Sequence, residues 1–293
     1  MKYAARVSAL AKINLTLRVL GKRRDGYHDL RTIFQSVALH DTLTIRRERG
    51  PFRLECGDPA LPCDRTNLIW QAADAVWKAS GRRGAPRDLV VAVVKRIPIS
   101  AGLGGGSSDA AAALTAFARL WRLDRARLPA LAASLGADVP YFLEGGTVLG
   151  LERGDLLFPL IDYPSRWVTL VIPGYRVNTK DAFEWYDRDT RARVVPRPVV
   201  RRPAGGAFHG GEPRNDLEGS VGRRHPDILR IIVGLCRAGS IDAAMTGSGS
   251  AVFGLFDSRA LAARAAVEFA RSTRHTLVTR TVSRDEYRVL AGK

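Results

Sequence analysis

The 293-residue sequence predicts an α+β protein of two domains. Two periodicities and a change of texture carry that expectation. Apolar residues alternate with polar ones over 12–19, which is strand spacing, and recur three and four apart over 68–77, which is helix spacing. Beyond Gly154 a second set of strands and helices begins. Hydrophobic residues make up 46% of the chain, enough to fill one large core or two packed ones.

Taken in order, Ile13, Leu15, Leu17 and Val19 form the apolar side of the first strand, so Lys12 and Asn14 share its polar side. Further strands are expected over 42–46, 53–56 and 89–95. Leu68, Ile69, Ala72, Ala73, Val76 and Trp77 make a helix that Thr66 can cap and that stops before Gly81. Helices over 110–121 and 128–135, the latter closed by Gly136, precede a strand over 145–151. The domain boundary is expected near 150, giving domains 1–150 and 151–293. The second domain reads as a strand over 167–172, a helix over 179–186, an arginine- and proline-rich stretch to 214, a helix over 228–238, then strand, helix and strand.

The formal net charge is +17, with arginines scattered along the chain and dense at Lys22, Arg23 and Arg24 and across 188–214. Such a balance attracts anions without specifying which. No zinc-finger spacing and no aromatic RNA-recognition signature accompany it, so phosphorylated small molecules are expected partners and nucleic acid is not. No apolar run approaches the roughly 18 residues of a membrane span. Charges interrupt what would be the apolar part of an N-terminal signal. A cytoplasmic protein without membrane contact is expected. Cys56, Cys63 and Cys236 make neither a CxxC pair nor an even set, which argues against a disulfide framework or a zinc site.

The segment Pro98-Ile99-Ser100-Ala101-Gly102-Leu103-Gly104-Gly105-Gly106-Ser107-Ser108-Asp109 is laid out as a phosphate cradle before an alanine-rich helix. Its glycines remove Cβ atoms that keep backbone N–H groups from an anion, and Ser107, Ser108 or Asp109 can cap the helix. A nucleotide polyphosphate is the ligand this suggests. The loop lacks the Gly-Lys-Ser/Thr ending of a Walker A motif, and Ser107 stands where a dinucleotide fingerprint needs its third glycine. Gly247-Ser248-Gly249-Ser250, between apolar segments 243–245 and 251–256, is either a plain hairpin turn or a second source of N–H groups.

Four separated motifs carry a family resemblance: Ala11-Lys12-Ile13-Asn14-Leu15 with Asp25-Gly26-Tyr27-His28; the loop from Pro98 to Ser108; Gly136-Ala137-Asp138-Val139-Pro140 with Phe142; and Met245-Thr246-Gly247-Ser248-Gly249-Ser250. Asn215-Asp216-Leu217-Glu218 falls between the last two. In this order, over nearly the whole chain, the sequence resembles the GHMP-type small-molecule kinases. The resemblance implies an N-terminal domain with a fold shared with a small-subunit ribosomal protein, a C-terminal ferredoxin-like domain, and ATP with Mg²⁺ between them. It points to the branch whose acceptor is 4-diphosphocytidyl-2-C-methyl-D-erythritol.

By residue type alone, Lys12 could be a solvated strand lysine and Asp138 a turn residue. The resemblance implies instead that Asp138 is the base on the acceptor hydroxyl and that Lys12 pairs with it, facing the developing phosphoryl charge. It places Lys95 near the adenine, and Pro98, Ile99, Ser100, Ala101, Gly102, Leu103, Gly104, Gly105, Gly106, Ser107 and Ser108 around the phosphates. Tyr27 and Phe183 match stacking residues for the cytosine, and His28 matches its base-edge reader. Asn14 and Thr179 match contacts to the methylerythritol phosphate, and Phe34, Gly247 and Ser248 complete the expected acceptor site. Metal ligands are not assigned, and monomer or homodimer stays open. A kinase of another alcohol and a basic nucleic-acid-binding protein are the competing readings.

Overall fold

Two sheets organise the protein in a computed structural model that describes residues 2–59, 61–192 and 215–292. The first half runs β1 (Lys2–Lys22), β2 (His28–Pro51), β3 (Arg53–Cys56), α1 (Leu68–Ala79), β4 (Arg87–Val94), α2 (Gly105–Trp121), α3 (Leu128–Leu135), α4 (Tyr141–Glu144), β5 (Thr147–Glu152) and β6 (Leu156–Pro159). β1 and β2 pair antiparallel from Lys2↔Arg47 to Lys22↔His28. The other edge of β2 carries β5 along Leu30–Gln35 and β4 from Thr42 onward, with β3 and β6 at the outer edges. Only 42–46 of β2 was legible as a strand. Its first half is paired on both edges, and the four consecutive residues from Phe34 to Val37 are buried, which erases the alternation that marks a half-buried strand.

Ile69, Ala72, Ala73, Val76 and Trp77 face inward on α1, as the spacing requires. The cap is Asn67, not Thr66: Asn67 Oδ1 accepts from the Ile69 N–H at 2.9 Å, while the Thr66 hydroxyl donates to Asp64. The helices bury Phe52, Trp77, Phe117 and Trp121 against the sheet, with Phe117 stacked on Trp121 at 5.1 Å.

The second half runs β7 (Trp167–Pro173), α5 (Thr179–Arg191), α6 (Glu218–Arg224), α7 (Pro226–Arg237), β8 (Asp242–Met245), β9 (Val252–Phe256), α8 (Arg259–Phe269), β10 (Arg274–Arg280) and α9 (Arg284–Ala291). The sheet order is β10-β7-β9-β8 and every pair is antiparallel. With helices between β7 and β8 and between β9 and β10, this is the ferredoxin-like arrangement. The arginine- and proline-rich stretch lies outside the described residues from 193 to 214.

Both faces of the second sheet are buried. Val171, Met245, Val252 and Phe256 face α6, α7 and α8, whereas Val168, Leu170, Ile172, Phe253 and Leu255 pack on Ala11, Ile13, Leu15, Ala101 and Leu103 of the first half. This second packing joins the two halves. β5 crosses residue 150 and β6 extends the first sheet to Pro159, so sheet membership changes between Pro159 and Trp167 rather than at 150. The closing helix α9, absent from the sequence reading, returns to the first half, where Tyr287 donates to the Phe142 carbonyl at 2.7 Å.

Phe117 is fully buried at the centre of the first core. Phe117→Ala should lower the free energy of unfolding by about 3–5 kcal/mol in urea titrations followed by tryptophan fluorescence.

Candidate active site

Lys12 on β1 is 3% exposed, and a lysine so buried requires partners. Its Nζ donates to Asn14 Oδ1 at 2.7 Å, stands 3.5 Å from Asp138 Oδ2, and lies 5.3 Å from the centre of the Phe34 ring. Asp138 sits on the turn between α3 and α4, where the Gly136 carbonyl accepts from the Val139 N–H at 3.1 Å. The side chain of Asp138 is 35% exposed, so the carboxylate opens to solvent while the ammonium is held beneath it. The structure thus joins the two residues expected to carry the chemistry, although they are 126 positions apart.

The glycine loop departs from the capping expectation. α2 begins at Gly105, and its cap is Gly104, left-handed at φ 72° with no side-chain hydrogen bond. Ser107 and Ser108 lie inside the helix, and the Ser108 hydroxyl donates to the Leu10 carbonyl at 2.6 Å. The positive end of α2 therefore carries no side-chain cap, which suits it to an anion. Ile97, Ala101 and Leu103 anchor the loop in the core joining the halves, and the Lys12 N–H donates to the Leu103 carbonyl at 3.0 Å. A Cβ on Gly105 would meet Ile97 Cγ2 at 3.1 Å and Lys95 Nζ at 3.3 Å, so this glycine serves packing beneath the loop.

Gly102, at φ 78°, lies against the second-half turn so closely that a Cβ would run into the Thr246 carbonyl oxygen. The Asn14 N–H donates to Thr246 Oγ1 at 3.0 Å, and that hydroxyl is 3.2 Å from both Asn14 Oδ1 and the Gly102 carbonyl. Asn14 Nδ2 donates to Thr32 Oγ1 at 2.7 Å. Asn215 Nδ2 holds the turn by donating to the Met245 and Gly247 carbonyls at 2.9 and 2.7 Å, and Glu218 Oε1 accepts from the Met245 N–H. Thr179 Oγ1 lies 2.9 Å from Ser248 Oγ. Thr246, Asn215, Glu218 and Thr32 were missed as site residues; the Asn-Asp-Leu-Glu motif and the Thr before Gly-Ser-Gly-Ser signalled the first three, and no motif marked Thr32.

The expected base-binding residues are divided. His28 is buried and stacked on Phe183, with ring centroids 4.7 Å apart. Tyr27 is exposed and lies near the Arg153 guanidinium instead of facing Phe183. Phe34 is 2% exposed, packed on Tyr141, with the Lys12 ammonium over its ring. Lys95 is tied to two carboxylates, Asp41 and, at 2.6 Å, Asp109. Burial alone would lower its pKa, but Asp109 and Asp41 outweigh burial and raise it. Burial pushes the Asp109 carboxyl up to about 7, against the opposing pull of Lys95.

The family models for the N-terminal and C-terminal domains of GHMP kinases match residues 67–146 and 206–274. The fold, the glycine loop and these matches define a GHMP kinase. A curated 4-diphosphocytidyl-2-C-methyl-D-erythritol kinase of Solibacter usitatus is 41% identical over 98% of this chain and 91% of its own. One of Moorella thermoacetica is 38% identical over 94% of this chain and 98% of its own. A crystal structure of 4-(cytidine 5'-diphospho)-2C-methyl-D-erythritol kinase superposes with a TM-score of 0.76 at 34% identity, covering 94% of this chain and 99% of that one. The chain belongs to the 4-diphosphocytidyl-2-C-methyl-D-erythritol kinase family. Mevalonate kinase of Methanococcus jannaschii, at 12% identity and TM-score 0.66, shares the fold.

Gly102→Ala should leave the protein folded but cut turnover by on the order of 10²-fold, because the loop and turn must move apart. Steady-state kinetics beside circular dichroism would show it. Asp109 holds its proton to a higher pH when folded, because burial moves its pKa from the ordinary aspartate range up to about 7. Its stabilising contribution is therefore full below about pH 4 and lost by about pH 7. Asp109→Asn should flatten that part of the stability profile in denaturant titrations across pH.

Proposed function

We propose that this kinase transfers the γ-phosphoryl group of ATP to the 2-hydroxyl of 4-diphosphocytidyl-2-C-methyl-D-erythritol, a step of the non-mevalonate route to isoprenoid precursors. The relatives' shared name supports the acceptor. The observation that carries the mechanism is the Lys12–Asp138 pair, 3.5 Å apart beside the glycine loop.

In this reading the backbone N–H groups at the start of α2 and in the loop bind the phosphates, with no side chain between them and the anion. The Asp138 carboxylate takes the acceptor proton as the hydroxyl oxygen bonds to the γ-phosphorus and the bond to ADP breaks. The Lys12 ammonium, fixed by Asn14, stabilises the negative charge on the transferring group. Mg²⁺ would supply further neutralisation on the phosphate oxygens. Among the described residues no group of three or more His, Cys, Asp or Glu could hold a metal. Thr179, Ser248 and Asn14 line the acceptor side, and His28 with Phe183 lines the base end. No helix among the described residues is long and apolar enough to cross a membrane.

A coupled ADP-release assay over an acceptor panel tests the assignment: the cytidine acceptor should be turned over, and homoserine, mevalonate and galactose should not. Comparable turnover of homoserine or mevalonate would overturn it. Asp138→Asn should lower kcat by on the order of 10²–10⁴ with acceptor KM little changed. Lys12→Met should also lower kcat, and the double variant should be only slightly worse than the poorer single one, because the pair acts as a unit. Near-normal turnover in folded Asp138→Asn would leave Asp138 as a turn residue.

A further inference from the structure

The ring of His28 is held in one hydrogen-bonding state by a residue that the proposed mechanism does not use. His28 Nε2 lies 2.7 Å from Asp187 Oδ1, and Lys22 Nζ donates to Asp187 Oδ2 at 2.8 Å. The placement follows from the elements. Lys22 and His28 are register partners where β1 and β2 meet, and Asp187 lies one turn beyond Phe183 on α5. Phe183 therefore covers the face of the imidazole while Asp187 holds its edge. Burial would raise the Asp187 pKa, but the bonds from Lys22 and His28 outweigh it and hold the carboxyl below its usual range.

An ionised carboxylate only accepts hydrogen bonds. In the neutral form of the imidazole the proton is therefore placed on Nε2, and Nδ1 keeps a lone pair. Among the described residues Nδ1 has no hydrogen-bond partner. Cytosine carries an amine at C4, which donates to such a nitrogen, whereas uracil carries a carbonyl oxygen there, which opposes it with another lone pair. We infer that Asp187, acting through the His28 tautomer, makes the acceptor site select cytosine over uracil. This rests on the proposed cytidine acceptor and adds the residue that decides the base. Asp187 is a positioning residue; His28 touches the base.

The test compares kcat/KM for 4-diphosphocytidyl-2-C-methyl-D-erythritol and its uridine counterpart in the wild-type protein, Asp187→Asn and Lys22→Met. An asparagine can donate its amide N–H to Nε2 and so move the ring proton to Nδ1, the arrangement that suits uracil. Asp187→Asn should shrink the cytidine preference by at least about tenfold, chiefly through acceptor KM, with the KM for ATP unchanged. Lys22→Met, which removes the other partner of Asp187, should keep the preference. In protein labelled with ¹⁵N-histidine, the ring shifts of the resonance lost in a His28→Gln control should show the proton on Nε2 in the wild type. Wild-type turnover of the cytidine acceptor with the same base preference in Asp187→Asn would overturn the inference, as would a proton on Nδ1 in the wild type. No turnover of the cytidine acceptor by the wild type would instead overturn the proposed function.

Discussion

The backbone of the glycine loop touches the backbone of the Thr246–Gly249 turn, and the arrangement of the cleft depends on that contact. No side chain fits between Gly102 and the Thr246 carbonyl, so the two halves approach more closely than packed side chains would allow. Thr246 then reaches across to Asn14, and Asn14 reaches Lys12. One chain of hydrogen bonds thereby links the second-half turn to the buried ammonium. Hydrogen bonds of this kind are individually modest, but each here also satisfies a buried polar group that would be costly alone.

The apolar layer beneath makes the approach possible. Ala101 and Leu103 place the loop against Phe253 and Leu255 of the second sheet, while Ile13 and Leu15 bring the strand that carries Lys12 to the same layer. Polar and apolar residues alternate along β1, so the strand that buries Ile13 on one side offers Lys12 and Asn14 on the other. The Asn215 segment extends this logic. It pairs with β1 at Leu17, accepts an ion pair from Arg18 through Asp216, and holds the carbonyls of the turn.

Local patterns in the sequence revealed the parts of the fold that local physics governs. The spacing over 68–77 declared α1, the alanine-rich run after the loop declared the body of α2 but not its start at Gly105, and the strand pattern around Lys12 declared β1. The first half of β2, the edge strand β6 and the closing helix α9 were hidden. β2 is masked by pairing on both edges, β6 is four residues long, and α9 exists against Leu10 and Ala38 of the opposite half. Capping was misjudged twice for the same reason. A helix end is set by where the backbone turns: Thr66 and Asn67 compete at the start of α1, and at α2 the backbone turns at Gly104, before the serines are reached.

For the site, the sequence by itself determined which residue types were available: a glycine loop before a helix, a lysine on a strand, an aspartate in a turn, and the motifs that mark the family. These are short-range properties, and chain order preserves them. Only the tertiary structure decided that Lys12 meets Asp138, that Thr246 joins Asn14 to Gly102, that Lys95 faces two carboxylates, and that Asp187 holds His28. Each of those contacts joins side chains from separate elements. Which of them meet depends on how two sheets and their shared apolar layer pack, and no local period in the sequence records that.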